Sequence, residues 1–225
     1  MISFKGSHFP KEVIMQSIRW YTSYSLSYRD VEELLEERGV ELDHATVNRW
    51  VVKYSPLLEL KFRKHKKKIG SSWRMDETYI KIKGRWVYYY RAVDTDNQTI
   101  DFYLSEKRDT EAARSFFTKA IGSSGLPDKV NIDKSGANLA GLQAINQGLP
   151  ENRRIMVRQI KYLNNLIEQE HRPIKLITRP MLGFKAFTSA VATLAGIELQ
   201  RMLKKGQGIL NSDLPAWKQF YALAG

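Results

Sequence analysis

Between residues 10 and 55 apolar side chains recur at helical spacing in three short runs. Val13, Ile14, Ile18 and Tyr21 form the first, behind Pro10, which suits a first helical position, and the run fades into a loop near Ser25. Ser27 with Asp30 forms a capping-box pattern for the second, whose stripe is Val31, Leu34 and Leu35 and which Gly39 can terminate. Asp43 can cap the third, which turns Val47, Trp50, Val51 and Tyr54 inward until Pro56 is expected to stop it. Three helices with tight turns predict a helix-turn-helix. Its outward residues would be His44, Thr46, Asn48, Arg49 and Lys53, types that contact base edges and phosphates from a major groove. Periodicity alone fits a plain three-helix bundle with a solvated face equally well.

From Trp73 the period falls to two. "WRMDETYIKI" and "RWVYYYRAVD" are alternating, aromatic-rich runs joined by "KG", and "TIDFYLSE" follows the turn-like "DTDNQ", which predicts an antiparallel meander. A helix capped by Asp109, a short strand "KVNID" ending at Asp133, a helix over "SGANLAGLQAINQ", a strand "RRIMVRQI" and a helix over "KYLNNLIEQEHRPIK" come next. The fold class is therefore α/β: an N-terminal three-helix module, then a mixed five-stranded sheet with flanking helices. Pro173 inside the last of these helices predicts a kink or an end near 172. A long helical pattern over 181–204 closes at Gly206, and the tail to 225 carries no pattern. The expected division is a helix-turn-helix over 1–58, a basic linker over 59–72, a catalytic core over 73–178 and a C-terminal helix and tail over 179–225.

Charge and composition narrow the partners. The 225 residues carry a net charge of +12, which favours a polyanion, most simply nucleic acid. The run "KFRKHKKK", 61–68, holds six Lys or Arg in eight positions. It is either a solvated linker or, through Arg63, Lys64, Lys66, Lys67 and Lys68, a tracker of a phosphate backbone. The absence of cysteine excludes disulfides and thiolate zinc sites, and the four histidines are too scattered to form a metal cluster. Any metal would be a hard cation on carboxylates. No hydrophobic leader is visible, and the apolar stretch at 186–197 is interrupted by Thr188, Ser189 and Thr193, so a soluble, cytoplasmic protein without membrane contact is expected.

Three acids carry the candidate chemistry. Asp76 falls mid-strand on the first strand, Asp133 at the end of the fourth and Glu168 on the helix after the fifth. First and fourth strands are common neighbours when a meander is extended by a crossover, so the aspartates can face each other with Glu168 approaching from the side. Converging carboxylates repel unless a divalent cation sits among them, and all-oxygen ligands select Mg²⁺ or Mn²⁺. Two such ions about 3.5 to 4 Å apart would serve an in-line attack on phosphorus. Glu77 points to the opposite strand face from Asp76, which predicts a solvent or supporting group. His171 either positions the site or is a paired surface group. Lys175 would share the face of Glu168 in an unbroken helix and contact phosphate. Lys161 and Asn164 supply donors to a phosphate or base, unless they only cap the helix.

Asp133 and Glu168 are separated by 34 residues, and Lys175 follows seven positions later. This spacing resembles the Asp-Asp-Glu signature, with its downstream basic residue, of transposases and retroviral-type integrases of RNase H-like fold. "WRMDETYIKIKGRWVYYYRAVD", "DKSGAN", "KYLNNLIEQEHRPIK" and "TRPMLGF" are similar to the small bacterial insertion-sequence transposases of family six, from about Phe4 to Gln207. The family more often has Asp at the position of Glu170. The resemblance implies an RNase H-like core, catalytic Asp76, Asp133 and Glu168, and terminal inverted repeats of double-stranded DNA recognised by the N-terminal module. It also implies 3′-hydroxyl strand transfer into target DNA that joins replicons. Two ends must be handled together, for which a homodimer is the least elaborate assembly. The alternatives are a non-catalytic helix-turn-helix regulator derived from a transposase and a simple RNase H-like nuclease.

Overall fold

The structure of the protein, a computed structural model, describes residues 2–225. The side chain of Lys161 lies outside the described residues, and with it the DNA contact expected there. In chain order the elements among the described residues are α1 (Lys11–Ser23), α2 (Tyr28–Glu36), α3 (His44–Arg63), β1 (Ser72–Ile82), β2 (Arg85–Asp94), β3 (Thr99–Ser105), α4 (Thr110–Ser124), β4 (Lys129–Asn131), α5 (Gly136–Gln147), β5 (Met156–Arg158), α6 (Lys161–Thr178), α7 (Phe187–Lys204) and α8 (Ala216–Ala222). By packing they divide into two compact units, Met1–Lys67 with Pro173–Gly225, and Lys68–Arg172. Among the described residues no helix is long and apolar enough to cross a membrane.

The first unit is helical. Pro10 is the N-cap of α1 rather than its first turn, since its ψ of 146° is extended. The capping box of α2 forms as expected: Ser27 N donates to Asp30 Oδ2 (2.7 Å) and Asp30 N to Ser27 Oγ (3.2 Å). Past the end of α2, Gly39 takes a φ of +73°, and Val40 N closes back on Leu35 O at 3.0 Å. Asp43 caps α3 through Ala45 N.

Pro56 does not stop α3, contrary to expectation. Leu58 and Phe62 prolong its apolar face into a core shared with Leu199, Met202 and Leu203 of α7 and Phe220 of α8. Burying two large apolar side chains contributes about 1.5–3 kcal/mol each, enough to offset the roughly 3 kcal/mol cost of an interior proline. The basic run thus begins inside a helix, and the C-terminal segment shares one core with the N-terminal helices. α7 crosses α1 and α3 at Gly196, where a Cβ would lie 2.7 Å from Thr22 Cγ2 and 2.8 Å from Ser55 Oγ.

The second unit is built on a five-stranded sheet in the order β3-β2-β1-β4-β5. The first three strands pair antiparallel, while β4 runs parallel to both β1 and β5. This is the mixed five-stranded sheet expected from the sequence. Trp73, Met75, Tyr90 and Ala92 on one sheet face pack with Ala113, Phe116 and Phe117 of α4 and Leu142 of α5. α4 and α5 touch at Gly141, where a Cβ would meet Ala113 Cβ at 2.9 Å. On the β4 side, Asn131 bonds through Nδ2 to Asn164 Oδ1 and receives Ile160 N on its Oδ1, fixing the start of α6. α6 continues through Pro173 instead of ending at 172. Buried Ile167, Ile174 and Ile177 maintain its apolar stripe, and Glu170 O, in the turn that the proline disturbs, accepts from fully buried Arg91 at 2.8 Å.

Candidate active site

Successive strand residues project to opposite faces, and β1 uses both at the site. Glu77 shares the face of Trp73 and Met75; its Oε1 accepts from Asn138 Nδ2 of α5 (3.1 Å) and from Arg108 Nε (3.1 Å). Asp76 faces the other way, where His171 Nε2 of α6 stands 3.2 Å from its Oδ2. Asp133 lies two residues beyond β4 rather than at its end. The parallel register aligns Arg74 with Asn131, so continuing it by two residues brings Asp133 level with Asp76. Asp133 Oδ1 accepts from Ser135 N (3.0 Å) and Asn138 Nδ2 (3.2 Å), and its Oδ2 from Arg108 Nη2 (3.1 Å). One carboxylate oxygen each of Asp76, Glu77 and Asp133 lies within 4.8 Å of the other two.

The expected repulsion among acids is partly answered within the fold, because Arg108 spans Glu77 and Asp133. Glu77 is still the costly member. Its side chain is only 4% exposed. Burial raises its pKa above the usual carboxylate value, against the lowering pull of Arg108. Its Oε2 is buried without a hydrogen-bond partner, a condition that costs about 1–3 kcal/mol or more. A buried, unpartnered carboxylate oxygen beside two further acids, with no sulfur or nitrogen ligand in the group, fits a hard divalent cation.

The structure therefore brings together Asp76 and Asp133 and adds Glu77, while Glu168 stays outside that group, exposed on α6. Glu168 precedes His171 by three residues, so it lies one turn away on the helical face that meets Asp76. Of the two roles expected of Glu77, solvent group or supporting group, burial removes the first, and its bonds to Asn138 and Arg108 fit the second. Its face is opposite to that of Asp76, but α4 and α5 cover that face, as its apolar companions Trp73 and Met75 could have signalled. His171 is buried and paired with Asp76, not a surface group. Arg108, one of four charged residues in the loop before α4, had no spacing signal.

On α3, Asn48, Arg49 and Lys53 are exposed, Thr46 Oγ1 accepts from Arg49 Nη2 (2.6 Å), and Lys53 Nζ sits 4.9 Å from the Tyr54 ring centroid. His44 Nδ1 is engaged by Glu32 (3.0 Å) and Asp43 (2.9 Å). In the basic run Lys64, Lys67 and Lys68 are exposed, Arg63 pairs with Glu59, and Lys66 bridges to Gly208. Asn164 is buried against Asn131, so its side chain serves the fold here instead of reaching outward. Lys175 is exposed on α6.

A family model described as a DDE domain matches residues 70–207, and one described as the transposase IS66 family matches 11–126. The chain is 41% identical over 195 residues to the transposase for insertion sequence-like element IS431mec of Staphylococcus aureus, covering 87% of this chain and 85% of that one. It is equally identical, with the same coverage, to the transposase for insertion sequence element IS257 in transposon Tn4003 of Staphylococcus aureus. Among solved structures, the catalytic core domain of HTLV-2 integrase in complex with magnesium is similar at 20% identity and a TM-score of 0.48, over 68% of this chain and 97% of that one.

Proposed function

The chain belongs to the insertion-sequence DDE transposases, enzymes of DNA cleavage and strand transfer that use divalent metal, and from that premise we propose that Asp76, Asp133 and Glu168 are its catalytic acids. The observation that carries the proposal is the meeting of Asp76 and Asp133 beside the unpartnered Oε2 of Glu77. Asp76 and Asp133 would hold the metal, with Glu168 reaching it from the adjacent turn to His171. Two Mg²⁺ or Mn²⁺ ions bound there would supply activation of the attacking oxygen and stabilisation of the leaving oxygen. The protein's own part is positional. His171 fixes the Asp76 carboxylate, Asn138 ties Glu77 to Asp133, and Arg108 balances their charge in the absence of metal.

Recognition of the element's terminal inverted repeats is assigned to α3, where exposed Asn48 and Arg49 reach base edges and Lys53 a phosphate; Lys64, Lys67, Lys68 and Lys175 add backbone contacts to double-stranded element and target DNA. A homodimer would handle the two ends together. The test incubates the protein with labelled element-end duplex, plasmid target and Mg²⁺ or Mn²⁺. Wild type should give joined product, and Asp76→Asn, Asp133→Asn and Glu168→Gln should bind the end normally without joining. Hydrolysis alone would indicate a nuclease, binding alone a regulator. Joining by Asp133→Asn would overturn the site.

A further inference from the structure

The sheet face that carries Glu77 continues beyond the cover of α4 and α5. Trp73 and Met75 on this face are buried, but two positions past Glu77 the next residue, Tyr79, is 49% exposed, and Lys81 after it is exposed. Across the antiparallel register Tyr79 faces Tyr88 and Lys81 faces Trp86, which is 62% exposed. The Tyr79 and Tyr88 rings are 5.5 Å apart, and Lys81 Nζ lies 5.8 Å from the Trp86 ring centroid. The strands turn through Lys83 and Gly84, both at positive φ, the geometry of a tight two-residue hairpin, so that exposed Lys83 sits at the tip and exposed Arg85 directly after it. From Thr78 to Val93 the hairpin contains no carboxylate. Large aromatics on a sheet face are normally covered; here they are interleaved with cations.

We propose that this strip binds an unpaired DNA strand running to or from the acid cluster, with bases stacked on Tyr79 and Trp86 and phosphates on Lys81, Lys83 and Arg85. The proposal rests on the assignment of the acid cluster as the DNA-cutting site. Same-face residues of a strand are about 7 Å apart, so the strip begins one step from Glu77. Exposed rings select unpaired DNA because a duplex buries the π-faces of its bases and offers only phosphates and groove edges. A second copy of the chain fits less well, since a two-fold contact would set Lys81, Lys83 and Arg85 against their own counterparts.

The test uses the full chain in EDTA, with labelled oligo-dT of about 16 nucleotides and a random duplex of equal length. Trp86→Ala and Tyr79→Ala should each weaken oligo-dT binding about tenfold while changing duplex binding less than about twofold, and Trp86→Phe should retain most of the affinity. Oligo-dT binding is read in EDTA and joining by wild type with Mg²⁺, so failure of this surface and failure of the catalytic assignment are told apart. Equal losses on both DNAs, no loss on oligo-dT, or a change of oligomeric state in Trp86→Ala with oligo-dT binding intact would overturn the proposal.

Discussion

Glu77 combines three conditions that rarely coincide in a structural acid: near-complete burial, an unpartnered oxygen and two other carboxylates within reach. Its raised pKa means that the fold takes up a proton at higher pH than the unfolded chain does. Metal-free wild type therefore loses stability as pH rises from the ordinary carboxylate range through the raised Glu77 value. Glu77→Gln keeps an acceptor for Arg108 and Asn138 but removes the charge. In EDTA it should melt at the same or a higher temperature than wild type at pH 8, lack the wild-type decline that sets in as pH rises above the ordinary carboxylate range, and gain much less from added Mn²⁺. A variant melting clearly lower at pH 8 would make Glu77 a structural anchor. The meeting of Asp76 and Asp133 was legible because the strand pattern along the chain makes the first and fourth strands neighbours. The roles of Glu77 and Arg108 were not, because they depend on which helices cover a sheet face and on how a loop returns across it.

Two prolines show where element-scale rules yield to packing. Pro56 and Pro173 both interrupt good helical patterns, and both helices run through them because buried residues beyond each proline retain their places. The capping box at Ser27 and the cap at Asp43 were legible because the atoms involved are at most three residues apart. At α5 the decisive contact is with α4. Adding a Cβ at Gly141 forces it to 2.9 Å from Ala113 Cβ and 3.1 Å from Arg114 N, so the helices must separate at a cost of about 1–3 kcal/mol. Asn138, one turn earlier on α5, would then loosen its bonds to Glu77 and Asp133. Gly141→Ala should lower the melting temperature and blunt stabilisation by Mn²⁺. Gly122→Ala in α4, where a Cβ meets nothing within 4 Å, should be neutral or stabilising by up to about 1 kcal/mol. Similar melts for the two variants would remove the α4–α5 contact from the argument.

At the scale of the whole molecule, the chain leaves its helical unit after Lys67 and rejoins it from Pro173, so a core expected from the first 58 residues also draws on α7 and α8. That pairing was hidden because α7 is apolar around most of its circumference, from Ala190 to Leu203, which marks it as buried without saying against what. The net charge of +12 was legible, but its availability depends on the fold. Of the six cationic residues in the run 61–68, Lys61 donates to Leu223 O at 2.8 Å, Arg63 is paired with Glu59 and Lys66 is half-buried, leaving Lys64, Lys67 and Lys68 exposed. Each phosphate neutralised contributes about −0.9 to the slope of log affinity against log salt on duplex DNA. Replacing Lys64, Lys67 and Lys68 together by Gln should therefore flatten the slope on random duplex by about 2 to 3 units, with little effect on thermal stability. The same triple replacement should leave the preference for element ends over random duplex nearly unchanged, since these contacts carry no sequence information. A slope equal to that of wild type would make the run a solvated surface and move the polyanion contact elsewhere on the molecule.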